Sequence, residues 1–176
     1  MYNKDNKRWK ETNKESDKRL DSTEYNGTGR MVGYCTIRAY RGDEKIFEET
    51  RKNIITNAGF DLWSAVLGNY SDTTLGLGFI AVGTGTSAFS AGSVALTAEY
   101  TRGSATYAHT GGTQTFTETR TFGTGTFATG GTTIGESGVF NQASSGTMFS
   151  ATNFTTITLY SSDTLQVQWT YNLSGS

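Results

Sequence analysis

Near the C-terminus, Leu165, Val167, Trp169, Tyr171 and Leu173 alternate with Gln166, Gln168, Thr170 and Asn172. Successive side chains of a strand point to opposite faces, so this period of two predicts a strand with one apolar and one polar face. Trp169 is expected to be buried on the apolar face as a structural anchor. Shorter β-prone runs precede it: "GFIAVG", "ALTAEYTR", "SATYAH", "TQTFTETRTF", "GTFAT", "GVFN" and "TMFSATNFTTITLY". Glycine and other turn residues punctuate them every ~8–12 residues, which favours a sandwich, since a parallel sheet needs a helix between strands. The fold expected is mainly β, an antiparallel, jelly-roll-like β-sandwich.

Upstream, "MVGYCTIRAYRGDEKIFEE" has two β-prone runs flanking "RGDE", a hairpin with Gly42 relieving the turn. Arg41-Gly42-Asp43 also spells an integrin-binding tripeptide, but Gly-Asp is ordinary turn chemistry. One short helix is predicted near residues 57–67, in "TNAGFDLWSAVLGN". Thr56 or Asn57 caps it, Asp61 falls in the first turn where the dipole favours an acid, and Gly68 suits the stop. Ala58, Leu62, Ala65 and Val66 share one side, widened by Phe60, Trp63 and Leu67, so the helix should plug an end or face of the β core.

Charge divides the chain. Residues 1–52 hold 13 Lys/Arg and 10 Asp/Glu, whereas residues 53–176 hold only Arg102 and Arg120 against six acids. Residues 1–30 are polar, and their few large apolar residues make no stripe. They form a charged N-terminal arm, either a solvated tail or a segment that orders on a partner, ahead of a single domain over 31–176. A net charge of -1 gives no electrostatic reason to expect nucleic acid. No run of ~18 apolar residues is present to span a membrane, and the N-terminus lacks the apolar stretch of a secretion signal, so the expected product is soluble and made in a cytoplasm. Cys35 is the only cysteine, which excludes an intrachain disulfide.

Candidate chemistry is sparse. "GESG" lacks the spacing of a hydrolase nucleophile elbow, and strand-like "GVFN" follows where a helix is required. His109, the single histidine, would have to serve any triad, and it lies at a strand end. Glu99, Glu118, Glu136 and Asp163 sit on separate predicted strands, without the pairing that glycoside hydrolysis needs. The "GTG" loops lack the helix and lysine of a phosphate cradle. Thr113, Thr115, Thr117, Thr119 and Thr121 line one strand face, and a single such row indicates a hydrated surface rather than an ice-binding array. No catalytic, cofactor or metal residue is assigned, and no cofactor is expected.

Glu136 stands out in "GTTIGESGVFNQASSGTMFS" as one acid among small and apolar residues. By alternation it shares a face with Ile134, Gly138 and Phe140, so its carboxylate should point inward, where an unpaired charge is costly. Arg102 is the expected partner, with free backbone N–H groups as the other route.

The ordered set "NIITNAGFDLWSAVL", "FIAVGTGTSAF", "ALTAEYTR", "TIGESGVFNQASSGTMFSATNF" and "SDTLQVQWTYNL" resembles a family of phage virion proteins, described as tail-fibre-like or as head and tail accessory proteins. The resemblance covers Asn53 to Leu173 and leaves the charged arm outside. It implies a mostly β structural component without enzymatic activity, assembled as a homo-oligomer, a trimer or higher, with other virion proteins as partners. It places the protein on the virion after synthesis in the host bacterial cytoplasm. The family's acid before "GVF" falls on Glu136 and its arginine on Arg102, in line with the pairing expected above. The alternative function is a receptor- or glycan-binding module of a tail fibre, using Tyr70, Phe89 or Tyr107 to stack on sugar.

Overall fold

Alternation becomes architecture in the computed structural model, which describes residues 30–69 and 71–174. Ten strands form two antiparallel five-stranded sheets, packed face to face as a β-sandwich, with one helix. The first sheet has the order β2-β1-β10-β7-β6: β1 is Arg30–Arg41, β2 Glu44–Lys52, β6 Thr106–His109, β7 Thr115–Phe122 and β10 Asp163–Ser174. The second has the order β3-β9-β8-β4-β5: β3 is Ile54–Ile55, β4 Phe79–Gly83, β5 Glu99–Ser104, β8 Thr132–Phe140 and β9 Met148–Leu159. Pairing β1 with β10 and β3 with β9 wraps the chain's outer strands around the inner ones, the jelly-roll-like feature of the fold. The residues from Met31 to Leu173 form one compact unit. Residues 1–29 of the expected arm lie outside the described residues, and Arg30, its last residue, begins β1.

The core is the product of the period-two rows. Cys35, Ile37 and Ala39 of β1 meet Leu165, Val167, Trp169 and Tyr171 of β10 on one side, and Ile80, Val82, Ile134, Val139 and Phe149 of the second sheet on the other. Trp169 and Tyr171 are fully buried and stack with ring centroids 6.2 Å apart. The expected hairpin forms, and Gly42 takes the positive φ of 60° that its tight turn needs.

The helix, α1, spans Asn57–Gly68 and is capped by Thr56, whose side chain accepts the Gly59 N–H. Thr56 also donates from Oγ1 to the Met148 carbonyl at 2.6 Å, so the cap ties the helix start to β9. Gly59 is the contact point, since a Cβ there would collide with the Phe149 carbonyl. Three details differ from expectation. Asp61 falls beyond the first turn because the helix begins at Asn57. Gly68 is the last helical residue rather than the stop, and Asn69 caps the end. The buried face is narrow, with Gly59 and Leu62 buried, while Ala65, Phe60 and Leu67 are exposed.

Two expected strands are also corrected. "GTFAT" is a turn-rich connection, with Gly125 and Gly131 at φ 82° and 92°, and only Phe127 reaches the core. The run from Ala95 becomes strand only at Glu99, because the N–H groups of Thr97 and Ala98 are used by a side chain.

Candidate functional site

That side chain is Glu136. Its Oε1 accepts the N–H of Gly85 at 3.1 Å and of Ala98 at 2.7 Å, and its Oε2 accepts the N–H of Thr97 at 3.0 Å. Glu136 is fully buried, as expected. Its location is different: the ladder register shifts between Ile134 and Glu136, so Ile134 enters the inter-sheet core while Glu136 meets the long β4–β5 loop. That loop lies over the outer face of the second sheet, where Leu96 and the partly buried Phe89 pack with Ala81, Phe140, Met148 and Ala151 as a second, smaller core. Gly83 and Gly85 make room for the carboxylate, because a Cβ on either would strike it. Of the "GTG" loop, Gly85 supplies one of the three N–H groups on this carboxylate, while the Thr84 N–H goes to the Ala98 carbonyl.

Arg102 is not the counter-charge. It pairs with Glu99 through Nε at 3.0 Å and Nη2 at 2.6 Å, and its Nη1 donates to the carbonyls of Gln142 at 3.0 Å and Ser145 at 2.8 Å. Its guanidinium lies 3.5 Å from the centroid of the Phe140 ring. Arg102 thus pins the β8–β9 connection, where Ser145 holds a positive φ of 55°, while Glu136 pins the β4–β5 loop. The expected pairing is replaced by two separate clamps on one sheet. Trp169 lies in the main core, apart from both.

The remaining polar candidates disperse. Ser137 Oγ donates to the Ala81 carbonyl at 2.9 Å, inside the sandwich. His109 sits on β6 with Nδ1 2.9 Å from the Thr115 carbonyl oxygen. Asp163 is held by Arg41 in a two-pronged pair at 2.9 and 3.0 Å, which keeps its carboxyl below the usual range and commits the arginine of the Arg-Gly-Asp tripeptide. Of the threonine row, Thr115, Thr117, Thr119 and Thr121 face outward from β7 beside Asn172, Thr170, Gln168 and Gln166, a mixed polar face rather than stacked threonines. Among the described residues, no group of three or more His, Cys, Asp or Glu could hold a metal ion. No helix among them is long and apolar enough to cross a membrane. The sugar-stacking candidates do not converge: Tyr70 lies outside the described residues, Phe89 belongs to the second core, and Tyr107 is 60% exposed on β6.

The carboxyl that sequence reasoning passed over is Glu118. It is buried at 2% exposure, with Oε2 lacking a hydrogen-bond partner, and burial pushes its carboxyl up to about 7. It lines an apolar cavity between α1, the approach to β4 and the β6–β7 hairpin. The signal was present in "TFTETRTF": outward threonines put Phe116, Glu118, Arg120 and Phe122 on the inward face, so an acid and a base stand between two phenylalanines. Comparisons of the chain with family models, with curated proteins and with solved structures found no match.

Proposed function

We propose that the chain is a non-enzymatic structural subunit of a phage virion, a head, neck or tail accessory component that works by contact with other virion proteins and assembles as a homo-oligomer of three or more copies. The observation that carries this reading is the open edge at β6. Its four residues are all exposed, β7 pairs with one side of it, and no strand of the described residues pairs with the other. An unpaired edge offers backbone donors and acceptors for strand addition, which natural proteins otherwise blunt with charge or cover. Nearby apolar surface supports the same use: Tyr107 of β6 shares a cavity wall with Trp63 and Val66 of α1, and the same helix exposes Phe60 at 44% and Leu67 at 73%. The order of sequence stretches resembling virion proteins supplies the biological setting.

Light scattering on the full chain tests the proposal. A mass of three or more protomers is expected, falling in the double variant Ala108→Lys, Leu67→Lys, which places charge on the edge and on the exposed helix face. A monomer at every concentration, without affinity for particle components, sinks it. Binding on a glycan array that disappears in Tyr107→Ala would favour receptor recognition instead.

A further inference from the structure

The cavity beside α1 has a volume of about 280 Å3, close to the lower end of small-molecule pockets at ~300 Å3. Its wall includes Leu62, Trp63, Leu77, Phe116 and Phe149, and Glu118 is its only charged residue among the described residues. Glu118 stands opposite Tyr107 on β6 and Trp169 on β10 in the strand ladders. The neighbouring charge on its own strand, Arg120, donates from Nη1 to the Ser104 carbonyl at 3.0 Å, has a buried Nε without a partner, and makes no hydrogen bond or ion pair with Glu118. Tyr171 of β10 and Cys35 of β1 are held neutral by burial, which raises both, and Tyr171 shares a hydrogen bond with Ser150. Glu118 Oε2 is a buried acceptor without a hydrogen-bond partner, and the buried donors Arg120 Nε on its own strand and Trp169 Nε1 opposite it are unpartnered too. Such a group costs stability unless a donor is supplied from outside.

We propose that this cavity binds a primary ammonium group carried on an apolar stem, with Glu118 receiving the N–H donors and the leucine and aromatic wall holding the stem. Among the described residues the wall is uncharged apart from Glu118, so a cation with a long polar tail would leave that tail unsatisfied. The ammonium comes from a free amine or from a lysine of a neighbouring copy, and the second source rests on the assembly reading above. Burial holds the carboxyl near neutrality, and an incoming cation favours its ionised form. Affinity for the amine therefore increases as pH rises through about 7.

Titration of the full chain with n-hexylamine and, separately, with 1-hexanol tests the site, read by amide NMR shifts on α1 and by tryptophan fluorescence. Hexylamine is expected to bind, and hexanol to bind at least about ten-fold more weakly. Glu118→Gln should weaken hexylamine by at least about ten-fold and leave hexanol unchanged, while Val66→Trp should abolish both by filling the cavity. An unchanged oligomer mass for Glu118→Gln assigns the site to free amines, and a reduced mass assigns it to a neighbour's lysine. Absent hexylamine binding, or equal binding to wild type and Glu118→Gln, overturns the proposal. A monomeric wild type removes the lysine source and leaves the hexylamine result standing.

Discussion

Gly85 and Glu136, 51 positions apart, are joined by a 3.1 Å hydrogen bond from the glycine N–H to Oε1. With the bonds from Thr97 and Ala98, this closes the β4–β5 loop over the second sheet. Hydrogen bonds to an ionised group contribute about 1.5 to 3 kcal/mol each, and removing the acceptor leaves buried N–H groups unsatisfied. Glu136→Ala is expected to destabilise the fold by at least about 3 kcal/mol in chemical denaturation, and Glu136→Gln by less. An unchanged melting temperature for both would remove the clamp.

Because Arg102 anchors a different connection, Glu136→Gln and Arg102→Ala should be additive within about 0.5 kcal/mol. A double-mutant cycle reads this directly. A coupling of about 2 kcal/mol would restore the pairing that the sequence suggested.

Glu118 gives a pH dependence of unusual sign for a carboxyl. Its folded value of about 7 exceeds the ordinary 4.5, so between them the folded state keeps a proton that the unfolded chain has released. Its stabilising contribution is complete below about 4.5 and is lost as pH rises through about 7, by up to about 3 kcal/mol. Asp163 acts oppositely: its lowered value gives stability above the ordinary carboxylate range that disappears as pH falls. Denaturation of wild type and Glu118→Gln between about pH 5 and 8 isolates the first effect. The difference in stability should shift in favour of the variant toward alkaline pH, and parallel curves would refute the assignment.

Truncating Trp169 tests the core. It is fully buried among Ile37, Val167 and Tyr171, among others, so Trp169→Ala should cost about 3 to 5 kcal/mol. Gly59→Ala should be destabilising by about 1 to 3 kcal/mol despite alanine's higher helix propensity, because its methyl group meets the Phe149 carbonyl. Thermal melts with circular dichroism check both.

Much of the sandwich was readable because its signals are local. Alternation over Leu165 to Leu173, the glycine at position 42 and the Thr56 cap each depend on a few neighbouring residues, and each acts as its chemistry dictates. What was hidden depends on distant backbone. The donors that hold Glu136 are main-chain N–H groups, and every non-proline residue has one, so residue identity gives no mark of which loop will supply them. The register shift after Ile134 is similarly silent, yet it decides which face the carboxylate meets. Phe60 and Leu67 misled because helical spacing predicts which residues share a side, not how deeply the helix docks.

The β4–β5 loop dresses one side of the sandwich and leaves the other bare. On the bare side, Thr36, Arg38, Gln166, Gln168, Thr170, Thr117 and Thr119 are accessible hydroxyl, amide and guanidinium groups. The molecule therefore has a front and a back. A neighbour stacked on that polar side would gain little from apolar burial. Turning the molecule over thus exchanges a loop-covered apolar patch for a sheet face of hydroxyls, amides and one guanidinium.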